Sequence, residues 1–148
     1  MDNNRMNVVA AGSGAGFAST AFFARLFDEA LTLVRDSRDY IAQRGRDDSR
    51  ALPPAGGLAY SVETMRLTTR MTHIMAWLLM QRAYAEGEYE DAPVEAGAMR
   101  LGGADVCLGE PVVEAELPSA LAELMRRSER LFRRIQRLDD DLEGQAGG

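Results

Sequence analysis

The segment from Thr68 to Glu88, TTRMTHIMAWLLMQRAYAEGE, restricts the fold more than any other part of this chain. Its inner run, Ile74-Met75-Ala76-Trp77-Leu78-Leu79-Met80, is apolar over most of a helix circumference. That run falls far short of the ~20 residues a helix needs to cross a bilayer. A water-soluble helix that is apolar nearly all round must be covered on several sides. The segment therefore reads as the central helix of a small bundle, and the rest of the chain has to supply its cover.

Two further helices are legible. Ser19 and Thr20 are good N-caps for a helix opening near Ala21. Phe23, Phe27, Ala30, Val34, Ser37 and Ile41 follow at steps of four and three, with Leu26, Leu33 and Tyr40 as a second line. Gly45 after Arg44 reads as the stop. Ser61 reads as the cap of the central helix, which ends at Gly87. Two apolar rows lie on that helix: Met65, Thr69, Thr72, Ala76, Leu79 and Ala83, and beside them Leu67, Met71, Ile74 and Leu78. Pro118 suits the first turn of a third helix, along which Leu117, Leu121, Leu124, Ser128, Leu131, Ile135, Leu138 and Leu142 form a heptad seam.

The expected fold is all-α, a three-helix up-down-up bundle with a long acidic linker and flexible termini. The expected boundaries are a flexible arm at 1–18 and a bundle over 19–142, with helices at about 20–44, 61–86 and 117–142. Linkers occupy 45–60 and 87–116, and a loose tail occupies 143–148. Pro53-Pro54 and Gly56-Gly57 mark the first linker as a break. In the second, eight acids face a single arginine, Arg100. A connection of that length is functional or disordered. Val106-Cys107-Leu108 and Val112-Val113 are short apolar pieces suited to packing on the bundle or to a small hairpin.

The chain offers little reactive chemistry. All 17 basic residues are arginine, so lysine Schiff-base chemistry is excluded. Cys107 is the single cysteine, which excludes an internal disulfide and a cysteine-built zinc site. Acidic neighbours disfavour its thiolate. His73 is the sole histidine and reads as a core or interface residue. Val8 to Gly16 imitates a dinucleotide fingerprint, but its glycine spacing is wrong and no βαβ unit follows. Glu86, Glu88, Glu90 and Asp91 lack the order of an EF-hand loop. No catalytic residue, cofactor site or metal site is expected. The N-terminus lacks the apolar core of a signal peptide and no segment reaches membrane-spanning length, so a cytoplasmic protein is expected.

Surfaces remain. Arg126, Arg127, Arg130, Arg133, Arg134 and Arg137 line one side of the third helix and form the candidate partner-binding face. A net charge of −6 argues against bulk affinity for nucleic acid. The apolar rows exceed what one protomer can hide, which points to a homodimer through Phe22, Leu26, Leu33, Leu67 and Met71. A nucleic-acid-binding regulator using the third helix, and a plain dimerisation module, are the alternatives.

Several words are familiar: Phe27-Asp28-Glu29-Ala30 with Tyr40, Arg66-Leu67-Thr68-Thr69-Arg70, Ala76-Trp77-Leu78-Leu79, Gln81-Arg82-Ala83, Leu117-Pro118, and Ser128-Glu129-Arg130-Leu131-Phe132 with Arg137-Leu138-Asp139. Over roughly residues 20–140 the chain resembles the RcdA family of alphaproteobacterial cell-cycle regulators. The resemblance implies a non-catalytic, dimeric three-helix bundle that brings substrates such as CtrA to the ClpXP protease. It further implies work beside a response-regulator priming factor and a cyclic-di-GMP-binding adaptor, concentration at a cell pole, and no membrane insertion. Members tend to carry a flexible C-terminal extension, of which this chain has only a short EGQAGG end.

Overall fold

The chain is described by a computed structural model covering residues 14–88, 97–110 and 117–146. Among these residues the regular structure is entirely helical. A short helix α1 (Gly14–Ala18) precedes α2 (Ala21–Tyr40). A π-helical turn (Ile41–Gly45) carries α2 without interruption into α3 (Arg46–Arg50). Then come α4 (Pro54–Ala85), a one-turn helix α5 (Ala104–Cys107) and α6 (Ser119–Ala146).

The helix ends follow capping chemistry. Thr20 caps α2, its Oγ1 accepting from the amide of Phe23 at 3.2 Å. Gly87 adopts φ 79° after α4. The amides of Gly87 and Glu88 bond back to Tyr84 and Ala83, closing a Schellman motif.

On α4 and α6 the long helices meet on expected apolar rows, whereas on α2 the buried line mixes the two expected rows and leaves Phe27 and Val34 half-buried and Ile41 exposed. On α2 the buried line is Phe23, Leu26, Ala30, Leu33, Ser37 and Tyr40. On α4 it includes Leu67, Met71, Ile74 and Leu78, and on α6 Leu121, Leu124, Ser128, Leu131 and Ile135. Phe17 of α1 is 1% exposed, with its ring 5.4 Å from Phe23 and 6.0 Å from Trp77, closing one end of the core. The helix Gly14–Ala18, expected within a flexible arm, thus seats Phe17 in the core, while the rest of that arm lies outside the described residues.

The connection between the first two long helices is far shorter than expected. Only Ala51 to Pro53 separates α3 from α4. Pro54 occupies the first turn, where a missing N–H is harmless. Gly45 is no helix stop. Its αR backbone continues the rod, and a Cβ there would lie 2.3 Å from Oη of Tyr60. Glycine at this position leaves room for the Tyr60 hydroxyl, which a Cβ would displace. At the other end α6 runs on to Ala146, so the expected tail is largely helical.

Helix directions follow from paired contacts. Arg82 stacks on Phe27 at 4.7 Å while Gly45 meets Tyr60, so α4 runs opposite to the α2–α3 rod. Arg134 pairs with Glu29 and Arg127 with Asp36, each at 2.8 Å, so α6 also runs opposite to α2. Arg70 reaches Ser128 at 2.7 Å and Trp77 reaches Asp139 at 2.9 Å, so α4 and α6 run in the same direction. The order is up-down-down, which corrects the up-down-up expectation. Parallel neighbours need a crossover connection rather than a tight turn.

The described part of that crossover, residues 97–110, is a strap lying back along α4. The Leu101 amide donates to Asp139 at 3.1 Å, and Gly103 lies under the His73 ring. The Cys107 carbonyl accepts from Arg70, and those of Gly109 and Glu110 accept from Arg66. As the strap advances, its partners on α4 step backward from His73 to Arg70 to Arg66. From Arg66 to the end of α4 is about 28 Å at 1.5 Å per residue. A length that looked like a functional or disordered excess is therefore what this topology demands.

Two measurements follow. Trp77→Ala removes a buried ring and the donor to Asp139, and should lower unfolding free energy by about 3–5 kcal/mol in a urea titration. Cys107, within the strap, is fully buried against the bundle and desolvation raises its thiol pKa, so a thiol reagent at pH 8 should leave the native protein unmodified. Arg70→Ala should free the strap and speed that reaction well before global unfolding.

Candidate partner-binding surfaces

The arginines of α6 divide into three pairs. Arg127 and Arg134 reach across to Asp36 and Glu29 and tie α6 to α2. Arg126 and Arg133 pair within their own helix, with Glu123 and Glu129, each at 2.9 Å. The hydrogen bond from Arg126 holds the exposed Glu123 carboxyl below its ordinary pKa. Arg130 and Arg137 are exposed and carry no ion pair among the described residues. Seven residues apart, they stand about 10 Å from each other along the helix. The face expected to present six cations therefore presents two unneutralised ones.

Helix α4 has an inverted charge pattern. Glu63 and Arg70 are buried, and Arg66 is turned into the strap with its guanidinium on main-chain oxygens. Arg70 is 3% exposed and donates to the carbonyls of Cys107 and Met125 as well as to Ser128. Burial depresses its pKa, and those acceptors offset the desolvation. Meanwhile Leu58, Met65 and Leu79 are 58%, 70% and 44% exposed. They share the outward face with Thr72 and Ala76, which are also exposed. This helix is not covered all round by its own chain. One of its two apolar rows is core and the other is open.

The expected dimer-interface residues sit elsewhere. Leu26, Leu33, Leu67 and Met71 are buried inside the protomer, and Phe22 is half-buried with its ring 6.3 Å from Phe17. Side chains covered by their own chain present nothing to a second copy. The signal for the open row was nonetheless present in the sequence. Glu63, Arg66 and Arg70 recur at steps of three and four on the same side as Leu67, Met71 and Ile74, so that side alone could not be a simple grease stripe.

The remaining candidate groups are structural. Asp139 is 4% exposed and receives the Trp77 indole N–H, the Arg100 guanidinium at 2.8 Å and the Leu101 amide. His73 packs on Gly102 and Gly103, and a Cβ at Gly103 would come within 2.4 Å of the ring. Among the described residues no group of three or more His, Cys, Asp or Glu is placed to hold a metal ion. Glu90, Asp91, Val112 and Val113 lie outside the described residues, as do the positions before Gly14 in the glycine-rich motif.

A family model described as a protein of unknown function, DUF1465, matches residues 14–147. The crystal structure of RcdA from Caulobacter crescentus is 40% identical in sequence, covering 86% of this chain and 96% of that one, with a TM-score of 0.67. The chain belongs to the RcdA family. No curated protein matches it. The matched span runs from α1 to the end of α6, and the strap and its arginine anchors lie within it. No helix among the described residues is long and apolar enough to cross a membrane.

The division of the α6 arginines has a measurable consequence. Arg127→Glu or Arg134→Glu breaks an interhelical pair and should cost roughly 0.5–1 kcal/mol of stability, in the upper range for exposed ion pairs. Arg130→Glu and Arg137→Glu should change the thermal midpoint less than either.

Proposed function

We propose that this RcdA-family chain is a non-catalytic adaptor that delivers cell-cycle regulatory substrates, CtrA-like in kind, to the ClpXP protease. In this reading it acts as a homodimer in the cytoplasm, concentrated at a cell pole. It works with a response-regulator priming factor and a cyclic-di-GMP-binding adaptor. The observation that carries the reading is the 40% identity to RcdA over most of both chains. The surfaces support it: a pair of unneutralised arginines suits an acidic partner segment, and an open apolar row suits a protein partner. Tethering substrate near a protease raises its effective concentration without new bonds.

Nucleic-acid binding through α6 is the weaker alternative. Four of its six arginines already sit against carboxylates of this chain. Few cations remain to displace phosphate counterions, so a steep salt dependence is not expected.

The test is a reconstituted degradation assay with ClpXP, the priming factor and a CtrA-type substrate. Adding this protein should accelerate substrate loss. Arg130→Glu combined with Arg137→Glu should reduce the acceleration several-fold, as rim charges change encounter rates, while helical content stays the same. Identical degradation with and without the protein sinks the adaptor reading.

A further inference from the structure

We infer that the groove where α4 and α6 lie side by side is a peptide-recognition site, filled in this structure by the chain's own strap, and that it takes a segment of a partner protein in exchange for the strap. The inference is independent of the protease reading and of any self-association. The groove is built to read main chain. At one end Asp139 accepts from the Leu101 amide at 3.1 Å. Toward the other, Arg70 donates to the Cys107 carbonyl at 3.1 Å, and Arg66 donates to the carbonyls of Val106, Gly109 and Glu110. Each of these anchors also has a partner outside the strap. Trp77 donates to Asp139, Arg70 donates to Met125 and Ser128, and Arg66 pairs with Glu63 at 3.3 Å. The anchors therefore stay oriented when the strap leaves. A vacated groove, however, leaves unmatched donors on a buried guanidinium, which is costly. Exchanging one main chain for another avoids that cost, whereas simple opening does not.

The strap itself defines the occupant. Main-chain bonds supply affinity, and selectivity comes from the few side-chain slots between them. Gly103 has φ 80° and lies where a Cβ would come within 2.4 Å of the His73 ring, so that position takes glycine. Four residues on, Cys107 is fully buried, a slot for a small apolar side chain. Leu101 and Leu108 pack against the core on either side. The partner segment is thus an aliphatic residue, a glycine two positions later, one helical turn ending in a small apolar residue, and a second aliphatic residue next to it. Ala104, Asp105 and Val106 are exposed, so the turn itself carries no such requirement.

Trp77, bonded to the anchor Asp139, is the chain's one tryptophan, and Cys107 in the strap is its one cysteine, so each reports on the groove. Gly103→Ala in the full chain forces the strap off His73 and leaves Arg66, Arg70 and Asp139 unaltered. It should speed thiol labelling of Cys107 at least about tenfold with helical content unchanged. The synthetic peptide Gly97–Glu110 carrying Cys107→Ala, titrated into that variant, should return the Trp77 emission to the wild-type spectrum. It should bind wild type at least about tenfold more weakly, because the tethered strap competes at an effective concentration of about millimolar. A scrambled peptide, or the same peptide with Gly103→Ala, should bind the variant at least about tenfold more weakly than the strap order, since alanine is disfavoured in the left-handed region. Arg100→Ala, which removes the pairs to Asp139 and Asp140, repeats the release should Gly103→Ala lose helical content. A thiol that stays protected in both variants, or reacts only as both unfold, overturns the exchange. A released strap with no peptide binding, or with equal binding of the scrambled peptide, overturns the site. The adaptor reading stands in each of these cases.

Discussion

The fold depends on a guanidinium held where water is excluded. Arg70 projects from the middle of α4 into the junction of three elements. Its fork donates to the strap through Cys107 and to α6 through Met125 and Ser128. A buried cation is costly unless its donors are matched, and removing a partner is worse than never having buried the charge. Arg70 therefore makes the strap and the α4–α6 packing conditional on each other. Arg66, one turn earlier, extends the arrangement to Gly109 and Glu110.

This explains why the two parallel helices can be neighbours. α4 and α6 share a direction, so the chain must return the length of the bundle between them. A free return loop would close at a growing entropic cost and leave its carbonyls to water. Here the C-terminal carbonyls of the short α5 helix, Val106 and Cys107, meet the arginines. At the far end Asp139 ties the start of the described strap to both long helices. The crossover is thus packed structure along its described part, with Cys107 fully inside.

How far this was legible in the sequence varies by element. The apolar row of α6 was plain, because period and burial coincide there, whereas on α2 the buried line drew on both apolar rows, Phe23, Ala30 and Ser37 from one and Leu26, Leu33 and Tyr40 from the other. Thr20 and Gly87 were legible for a local reason, since caps are set by neighbouring backbone geometry. The α3–α4 junction was misread because Gly45, Pro54, Gly56 and Gly57 all resemble breakers. Three of them fit a helix on identifiable grounds: Gly45 for the approach of the Tyr60 hydroxyl, Pro54 for its place in a first turn, and Gly56, where a Cβ would sit 3.2 Å from Leu52; Gly57 faces open space. Helix direction was not legible, because it is set by contacts such as Arg70 to Ser128, 58 positions apart. The surfaces were half legible. Six arginines on one side of a helix were visible, but which were neutralised depended on Asp36 and Glu29, a helix away. Leu26, Leu33, Leu67 and Met71, expected at a dimer interface, are instead buried within the protomer, because a period cannot say which of two apolar rows faces inward.

The anchoring arginines grip main-chain oxygens rather than side chains of the strap. A latch that reads only carbonyls is indifferent to most of what the strap displays on its outer side. Apart from Arg100 on Asp139 and Asp140, Leu101 and Leu108 against the core, Cys107 inside it, Gly103 beneath the imidazole and Gly109 against the Asp105 carbonyl, strap positions are free to drift in composition without loosening their hold. Related chains could therefore dress the same crossover with different outward residues, giving one rigid frame many distinct exteriors.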